Sequence, residues 1–516
     1  MSRAVSLTGD GLTFEQFSRV VFDYAPVRLD PGARARMQQA HSVVQALAAG
    51  EIPVYGVNTG FGKLSDAHVG IENIGQLQLN LVRSHACGVG EPLSEAETRG
   101  MMLCRANVLA KGNSGARPEV ALLLLEMLNR RIHPVIPSQG SAGASGDLAP
   151  LAHLALVLVG EGEADCGGKR LRGRAALKRH RLEPLHLEPK EGISLLNGTQ
   201  GMLSVGTVAL LSAANLVDTA DVAAALSLDA LKGTPKAFDA RIQRLRPYRG
   251  QALSAAHLRR LNSRSEIRHS HLHCSKVQDA YSLRCAPQVH GAIRDTLAFA
   301  RQILAIELNA ATDNPLVFVK EREVLSGGNF HGQPLALVLD FMAIALTGLA
   351  GISERRIERL INPEYGDLPP FLTANAGLNS GFMMLQVTAA ALTSECKVWA
   401  HPASVDSIPT SGNKEDHVSM GMGAALKLRP ILKNLRHVLA IELLCAAQGI
   451  DFLAPLRPGR GAQEAYELIR SVSTRLEQDR SLAPDIQRVS DLIAEGRFSK
   501  ILQPGMKEPE QPPRRR

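Results

Sequence analysis

Ala144, Ser145 and Gly146 lie in the stretch GSAGASGDLAP (residues 140–150), a glycine-rich turn that runs into an apolar segment beginning after Asp147. Four chemistries suit such a stretch. Gly140, Gly143 and Gly146 repeat as GxxGxxG ahead of a helix start, a place that attracts phosphate, but no GK[ST] follows and no clear strand precedes. Ser145 lacks the GxSxG setting of a nucleophilic serine, because Asp147 stands where the last glycine belongs. A plain turn with Asp147 as helix N-cap also accounts for small residues here. The fourth chemistry is the chain acting on itself. Gly146 has no Cβ, so its amide nitrogen can approach the Ala144 carbonyl. Attack closes a five-membered ring and loss of water gives an imidazolinone. Elimination of the Ser145 hydroxyl then leaves an exocyclic methylene, an electrophile made without any external cofactor.

The elements that must position this turn read as helices. The chain has 516 residues, 45% of them hydrophobic but only 4% aromatic, a balance that favours helix packing over β-sandwich cores. From about residue 118 onward, apolar segments recur at helical spacing: 119–132, 201–228, 292–312, 336–361, 383–401 and 426–452. Several are apolar nearly all round, as in helices surrounded by other helices. The most membrane-like stretch, Pro334 to Ile352, is interrupted by Asp340 and is expected to be a buried core helix. Strands are expected only in RAVSL and PVYGV near the N-terminus and in a hairpin at 316–326. The expected division is an N-terminal portion (1–220) carrying the glycine-rich turn, a helical core (221–505) and a disordered basic tail (506–516).

Net charge is +8, much of it in a run from Lys169 to Arg181 and in Arg514, Arg515 and Arg516. Without interleaved aromatics or a reading motif, the run reads as a solvated loop, leaving a nucleic-acid binder or helical scaffold as a distant alternative. Seven scattered cysteines with no CxxC pair suit reduced thiols in the cytosol better than disulfides or a metal site. The N-terminus shows no apolar signal-peptide core, and no membrane partner is expected.

GSAGASGDLAPLAHLAL closely resembles the signature of the histidine/phenylalanine/tyrosine ammonia-lyase family. The likeness continues in order through YGVNTGFGKLSD, LLNGTQ, VQDAYSLRC, TDNPLVF, SGGNFHG and SIPTSGNKEDHVSMG, from about residue 50 to residue 450. It implies a mainly α fold of the ammonia-lyase/fumarase-like superfamily, with a long buried central helix bundle and a smaller, loop-rich N-terminal portion. The fumarase-type GSSxMPxKxN signature of the related helical fold is absent. It also implies a 4-methylideneimidazol-5-one formed from Ala144, Ser145 and Gly146, and a homotetramer whose active sites are shared between subunits. Carried over residue by residue, Tyr55 is the base for the substrate β-proton and Tyr281 lies opposite. Arg284 grips the substrate carboxylate, as a bidentate guanidinium does well. Asn197 and Gln278 orient the amine and the ring carbonyl, and Phe330 packs beside the prosthetic group. Asp147, next to the ring, is expected to cap the helix that begins there.

The resemblance also bears on the substrate. Ser84-His85 matches the histidine-lyase pattern, where phenylalanine-selective relatives tend to show Phe-Leu and many tyrosine-selective ones His-Leu. Glu415 agrees, because a carboxylate can pair with an imidazole where aromatic-ring lyases commonly carry Gln. Three departures pull the other way: Lys414 replaces the usual Gln of NQED, and Cys87 and Gly412 replace common alanines. The leading expectation is therefore elimination of ammonia from L-histidine to trans-urocanate. A tyrosine or phenylalanine lyase, or a 2,3-aminomutase using the same group, stays open.

Overall fold

The computed structural model describes residues 4–60, 68–273 and 277–503; the C-terminal tail with its three arginines, and part of the YGVNTGFGKLSD motif, lie outside them. Helices dominate. Those that position the site are Ile71–His85 (α1), Glu95–Ala110 (α2), Leu148–Leu158 (α3), Gln200–Ala230 (α4), Tyr281–Arg284 (α5), Ala286–Glu307 (α6), Gln333–Ile361 (α7), Met383–Trp399 (α8) and Leu428–Asp451 (α9). The apolar segments of the sequence account for most of them. α4 and α7 are long and apolar enough to cross a membrane, yet 72% and 56% of their most apolar stretches are buried against protein. α7 is thus less enclosed than expected: Leu337, Phe341 and Ile344 on it are about half exposed.

The strands are short and depart from expectation. Val5–Leu7 (β1) forms as expected and pairs in parallel with Val27–Leu29 (β2). Residues 53–57 make a turn instead of a strand: Gly56 takes φ 74°, and the Asn58 side chain accepts from Val54 N at 2.7 Å and donates to Ile52 O at 3.1 Å. Val89–Pro92 (β3) pairs with Pro137–Gln139 (β5), so a short strand does precede the glycine-rich turn. Ile132–Pro134 (β4), Glu163–Cys166 (β6) and Lys169–Arg172 (β7) form one small sheet. The basic run is therefore not a loop. It begins as β7, where Arg170 and Arg172 pair with Asp165 and Glu163 across the hairpin, and continues as a helix over Gly173–Arg179. Leu316–Phe318 (β8) and Glu323–Leu325 (β9) form the expected hairpin.

The chain packs as two compact units. Unit 1 comprises Met1–Val208, Arg301–Asp340 and Pro402–Leu426, and unit 2 comprises Ala209–Ala300, Phe341–His401 and Lys427–Arg516. Each is built from separate stretches of chain, where the sequence reading expects a single cut near residue 220.

In unit 1, α2 is buried almost throughout and carries two fully buried arginines. Arg105 donates to Ser194 O at 3.0 Å and to Asn197 O at 2.8 Å, and also bonds the Gln200 side chain. Burial pushes its guanidinium down to about 10, against the pull of Asp313 and Asp147. Lys190 and Asp313 form an ion pair at 3.1 Å with no exposure on either side chain. These groups hold the turn between Asn197 and Gln200, because a buried charge is stable only where its hydrogen bonds are met.

Unit 2 has a continuous line of buried charge. Glu442 on α9 takes Arg356 of α7 in a two-pronged pair and accepts from Ser227 at 2.8 Å. Arg356 Nη1 approaches His290 Nε2 at 3.3 Å. A guanidinium only donates, so Nε2 accepts and the His290 proton sits on Nδ1, 2.7 Å from Asp221. Asp221 also receives His257 at 2.8 Å and Arg294 at 2.6 Å. Burial alone would raise its carboxyl, but Arg294 and the two histidines hold it far below the usual carboxylate range. The same Arg356 nitrogen donates to Ser282 O at 3.3 Å, fixing α5. Asp221→Ala should lower stability by about 3–5 kcal/mol at neutral pH, the cost of stranding buried cations, read as a fall in thermal midpoint. Because the folded carboxyl is depressed, its contribution is present above about pH 4 and disappears as pH falls further. The gap between variant and wild type should therefore narrow on acidification.

Candidate active site

The glycine-rich turn is held open by backbone conformation. Gly140, Gly143, Ser145 and Gly146 all have positive φ, at 134°, 79°, 53° and 78°. Ser145 is the one residue of these four with a side chain, and such a residue persists at positive φ only where its surroundings fix it. The fixing partner is the turn at 197–198. Asp147 N donates to Gly198 O at 2.7 Å and Gly198 N to Ser145 O at 3.3 Å; Asn197 Nδ2 donates to the same Ser145 oxygen at 3.3 Å. A Cβ on Gly146 would lie 2.1 Å from Gly198 O. Two consecutive left-handed residues, with glycine second, fold the chain back on itself at Ala144–Gly146. The tight turn thus falls at the residues whose types suit cyclisation.

Asp147 does not cap its own helix; α3 has no side-chain cap bond. The carboxylate instead accepts from Met202 N at 2.7 Å in the first turn of α4 and from Ser141 Oγ at 3.0 Å. Burial pushes its carboxyl up to about 6, against the Met202 and Ser141 bonds and the Arg105 charge. It caps a helix 55 residues away in sequence, a pairing that no local pattern marks. On the far side of the turn, Met420 N donates to Ala142 O at 3.0 Å, and a Cβ on Gly143 would lie 2.2 Å from Ser419 Oγ.

Two of the expected side chains, Glu415 and Asn197, bond the tripeptide, and His85 lies within electrostatic reach of Glu415. Ser145 Oγ donates to Glu415 Oε1 at 3.2 Å. His85, at the C-terminal end of α1, has Nδ1 at 2.9 Å from Leu81 O. A carbonyl only accepts, so Nδ1 carries the proton and the neutral ring presents Nε2 as a lone pair. Burial pushes the His85 imidazole below its usual range, opposed by the Leu81 carbonyl and by the nearby Glu415 carboxylate. Asn197, nearly buried, keeps its Oδ1 without a hydrogen-bond partner among the described residues.

Two further residues sit in unit 1 on turns of their own. Tyr55 is half-buried in the turn at 53–57. Phe330 is half-buried in a loop anchored by Asn329 Nδ2 to Ala311 O at 3.1 Å and by stacked His331 and His417 rings 5.8 Å apart. That loop, like the tripeptide turn, closes on Ser419, which lies 2.9 Å from where a Gly332 Cβ would be. Lys414 is exposed while Glu415 is half-buried, so the unexpected lysine faces solvent.

Gln278, Tyr281 and Arg284 belong to unit 2. Gln278 and Tyr281 are exposed, Tyr281 at 71%. The Arg284 guanidinium lies 4.5 Å from the Tyr281 ring centroid, a cation–π contact that orients both. Its Nε is buried without a partner among the described residues. Residue types alone do not single out Ser141, Gly198 or Arg105. Gly198 had a visible signal in LLNGTQ, the glycine; Arg105 sits in an unremarkable helical segment and had none.

The chain is similar to known proteins over nearly its whole length. The family model for aromatic amino acid lyases matches residues 12–471. A histidine ammonia-lyase of Koribacter versatilis is 56% identical over 510 residues, covering 96% of this chain and 99% of that protein. Among solved structures, a histidine ammonia-lyase from Trypanosoma cruzi superposes with a TM-score of 0.90 at 42% identity over the full length of both chains. The tyrosine aminomutase of Streptomyces globisporus superposes at 0.91 with 38% identity, covering 97% of this chain and 98% of that one. With the motifs in order and the likeness running nearly end to end, the chain belongs to the aromatic amino acid lyase family.

Proposed function

We propose that this carbon–nitrogen lyase eliminates ammonia from L-histidine to give trans-urocanate. The observation that carries the reading is the Glu415 carboxylate beside the tripeptide, 3.2 Å from Ser145 Oγ, with the neutral His85 imidazole within its electrostatic reach. Both groups accept hydrogen bonds. A substrate imidazolium supplies two N–H donors, whereas a tyrosine phenol supplies one O–H and would turn oxygen lone pairs toward a carboxylate.

A 4-methylideneimidazol-5-one formed from Ala144, Ser145 and Gly146 would supply the electrophile that helps a poor amine leaving group depart. The chain's own groups do the rest. Tyr55 takes the β-proton as general base. Asn197, with its free amide oxygen and its bond to Ser145 O, orients the amine, and Phe330 excludes water beside the ring. Arg284 binds the substrate carboxylate with Gln278 and Tyr281 beside it. The exposure of Gln278 and Tyr281 on unit 2 supports a homotetramer in which neighbouring copies complete each other's sites. Apolar residues left open on α8, Met384, Val387 and Val398, suit such an assembly. Free cysteines at the described positions suit a reducing cytoplasm.

A second reading, a tyrosine lyase or 2,3-aminomutase, draws on His85, which can accept a phenol's hydrogen bond, and on the likeness to the Streptomyces enzyme. Incubation with each amino acid separates the two: urocanate from histidine is expected, with little coumarate or β-tyrosine from tyrosine. Turnover of tyrosine but not histidine would overturn the assignment. Ser145→Ala should abolish turnover while leaving the helical signature in circular dichroism intact. Glu415→Gln should lower kcat/KM for histidine about 10- to 150-fold, the worth of one hydrogen bond to a charged group.

A further inference from the structure

Glu415 can serve a substrate ring only if its carboxylate is held still, and the hydrogen bonding around it shows what holds it. Thr410 Oγ1 donates to Glu415 Oε2 at 2.6 Å, a short charge-assisted bond. The two residues also pair through the backbone: Thr410 N donates to Glu415 O at 3.0 Å and Glu415 N to Thr410 O at 3.4 Å. Between them Ser411, Gly412 and Asn413 take φ of 51°, 61° and 68°. Three left-handed residues in a row turn the chain tightly enough to bring position 410 back against position 415. Gly412, where alanine is common, enters that conformation without the strain a Cβ adds. The other carboxylate oxygen, Oε1, faces Ser145 Oγ at 3.2 Å, the hydroxyl that ring formation would remove, after which the Thr410 bond alone holds the carboxylate. With Oε2 occupied, the carboxylate cannot rotate without losing the Thr410 bond, so Oε1 stays aimed at the tripeptide. The β-branch of threonine narrows the rotamers from which its hydroxyl can donate, which sharpens that aim.

We infer that Thr410 is a positioning residue for substrate recognition: its hydroxyl clamps Oε2 of Glu415 and so presents Oε1 to the ring of the bound amino acid. The inference rests on the proposed role of Glu415 in substrate binding. It does not depend on which amino acid that is.

The test is a double-mutant cycle on the purified full-length enzyme, using Thr410→Val, Glu415→Gln and the pair, with kcat and KM measured on whichever of histidine or tyrosine the wild type consumes. Thr410→Val should raise KM about tenfold with kcat nearly unchanged, and Thr410→Ser should restore most of the loss. The double variant should be no worse than Glu415→Gln alone, because the clamp has nothing left to hold. Thr410→Ala serves in the same cycle if the valine variant folds poorly. Additive effects in the cycle, an unchanged KM, or a serine variant as weak as valine would overturn the inference. Consumption of tyrosine instead of histidine would overturn the substrate assignment and leave the cycle readable.

Discussion

Two backbones meet where no side chain can fit. The α-carbon of Gly146 lies against the carbonyl of Gly198, at a distance that forbids a Cβ, and the hydrogen bonds around that contact set the conformation of Ala144, Ser145 and Gly146. Gly198 is itself constrained: φ is 140°, and a Cβ there would lie 2.7 Å from the Arg105 guanidinium. A fully buried arginine on α2 thus fixes the turn against which the reactive tripeptide is pressed. Asp147 completes the arrangement by donating its N–H to Gly198 and giving its carboxylate to the first turn of α4. A buried carboxylate pushed up to about 6 is a strained choice for a cap. It is consistent with a site built for geometry ahead of local stability.

Much of this was legible in the residues. Ala-Ser-Gly names its own chemistry because each residue type has a task, and glycines at 140, 143 and 146 mark three of the four positions in the turn that take positive φ, Ser145 being the fourth. The helices were legible as well, from apolar spacing over long segments. What stayed hidden depends on partners distant in sequence. Asp147 reads locally as the cap of the helix it precedes, and only the fold shows that Met202 receives it. β3 and β5 are four and three residues long with no alternation, so nothing separates them from loop. PVYGV carries β-branched and aromatic residues, yet Gly56 and the Asn58 side chain make it a turn. Thr410 gave no signal beyond lying five residues before a candidate carboxylate, since the left-handed run that brings the two together contains only one glycine.

The residues read as candidate site residues fall in both units. Ser145, Glu415, His85 and Asn197, joined by hydrogen bonds and charge in unit 1, are the groups read as forming the electrophile and recognising the ring. Gln278, Tyr281 and Arg284, read as holding the amino acid's polar end, sit on unit 2 beside α5, which Arg356 ties to the buried line of charge through Ser282. Loops carry the candidate residues in both units, and buried ion pairs lie beneath those loops. Such pairs are costly to form and more costly to break, which suits anchors whose geometry must not drift.

Intact mass tests the central claim, that this chain converts Ala144, Ser145 and Gly146 into its own electrophile. The account predicts that the purified wild-type protein is lighter than its sequence by two water molecules, while Ser145→Ala prepared the same way shows no such loss. A wild-type mass equal to that of the unmodified sequence would contradict it.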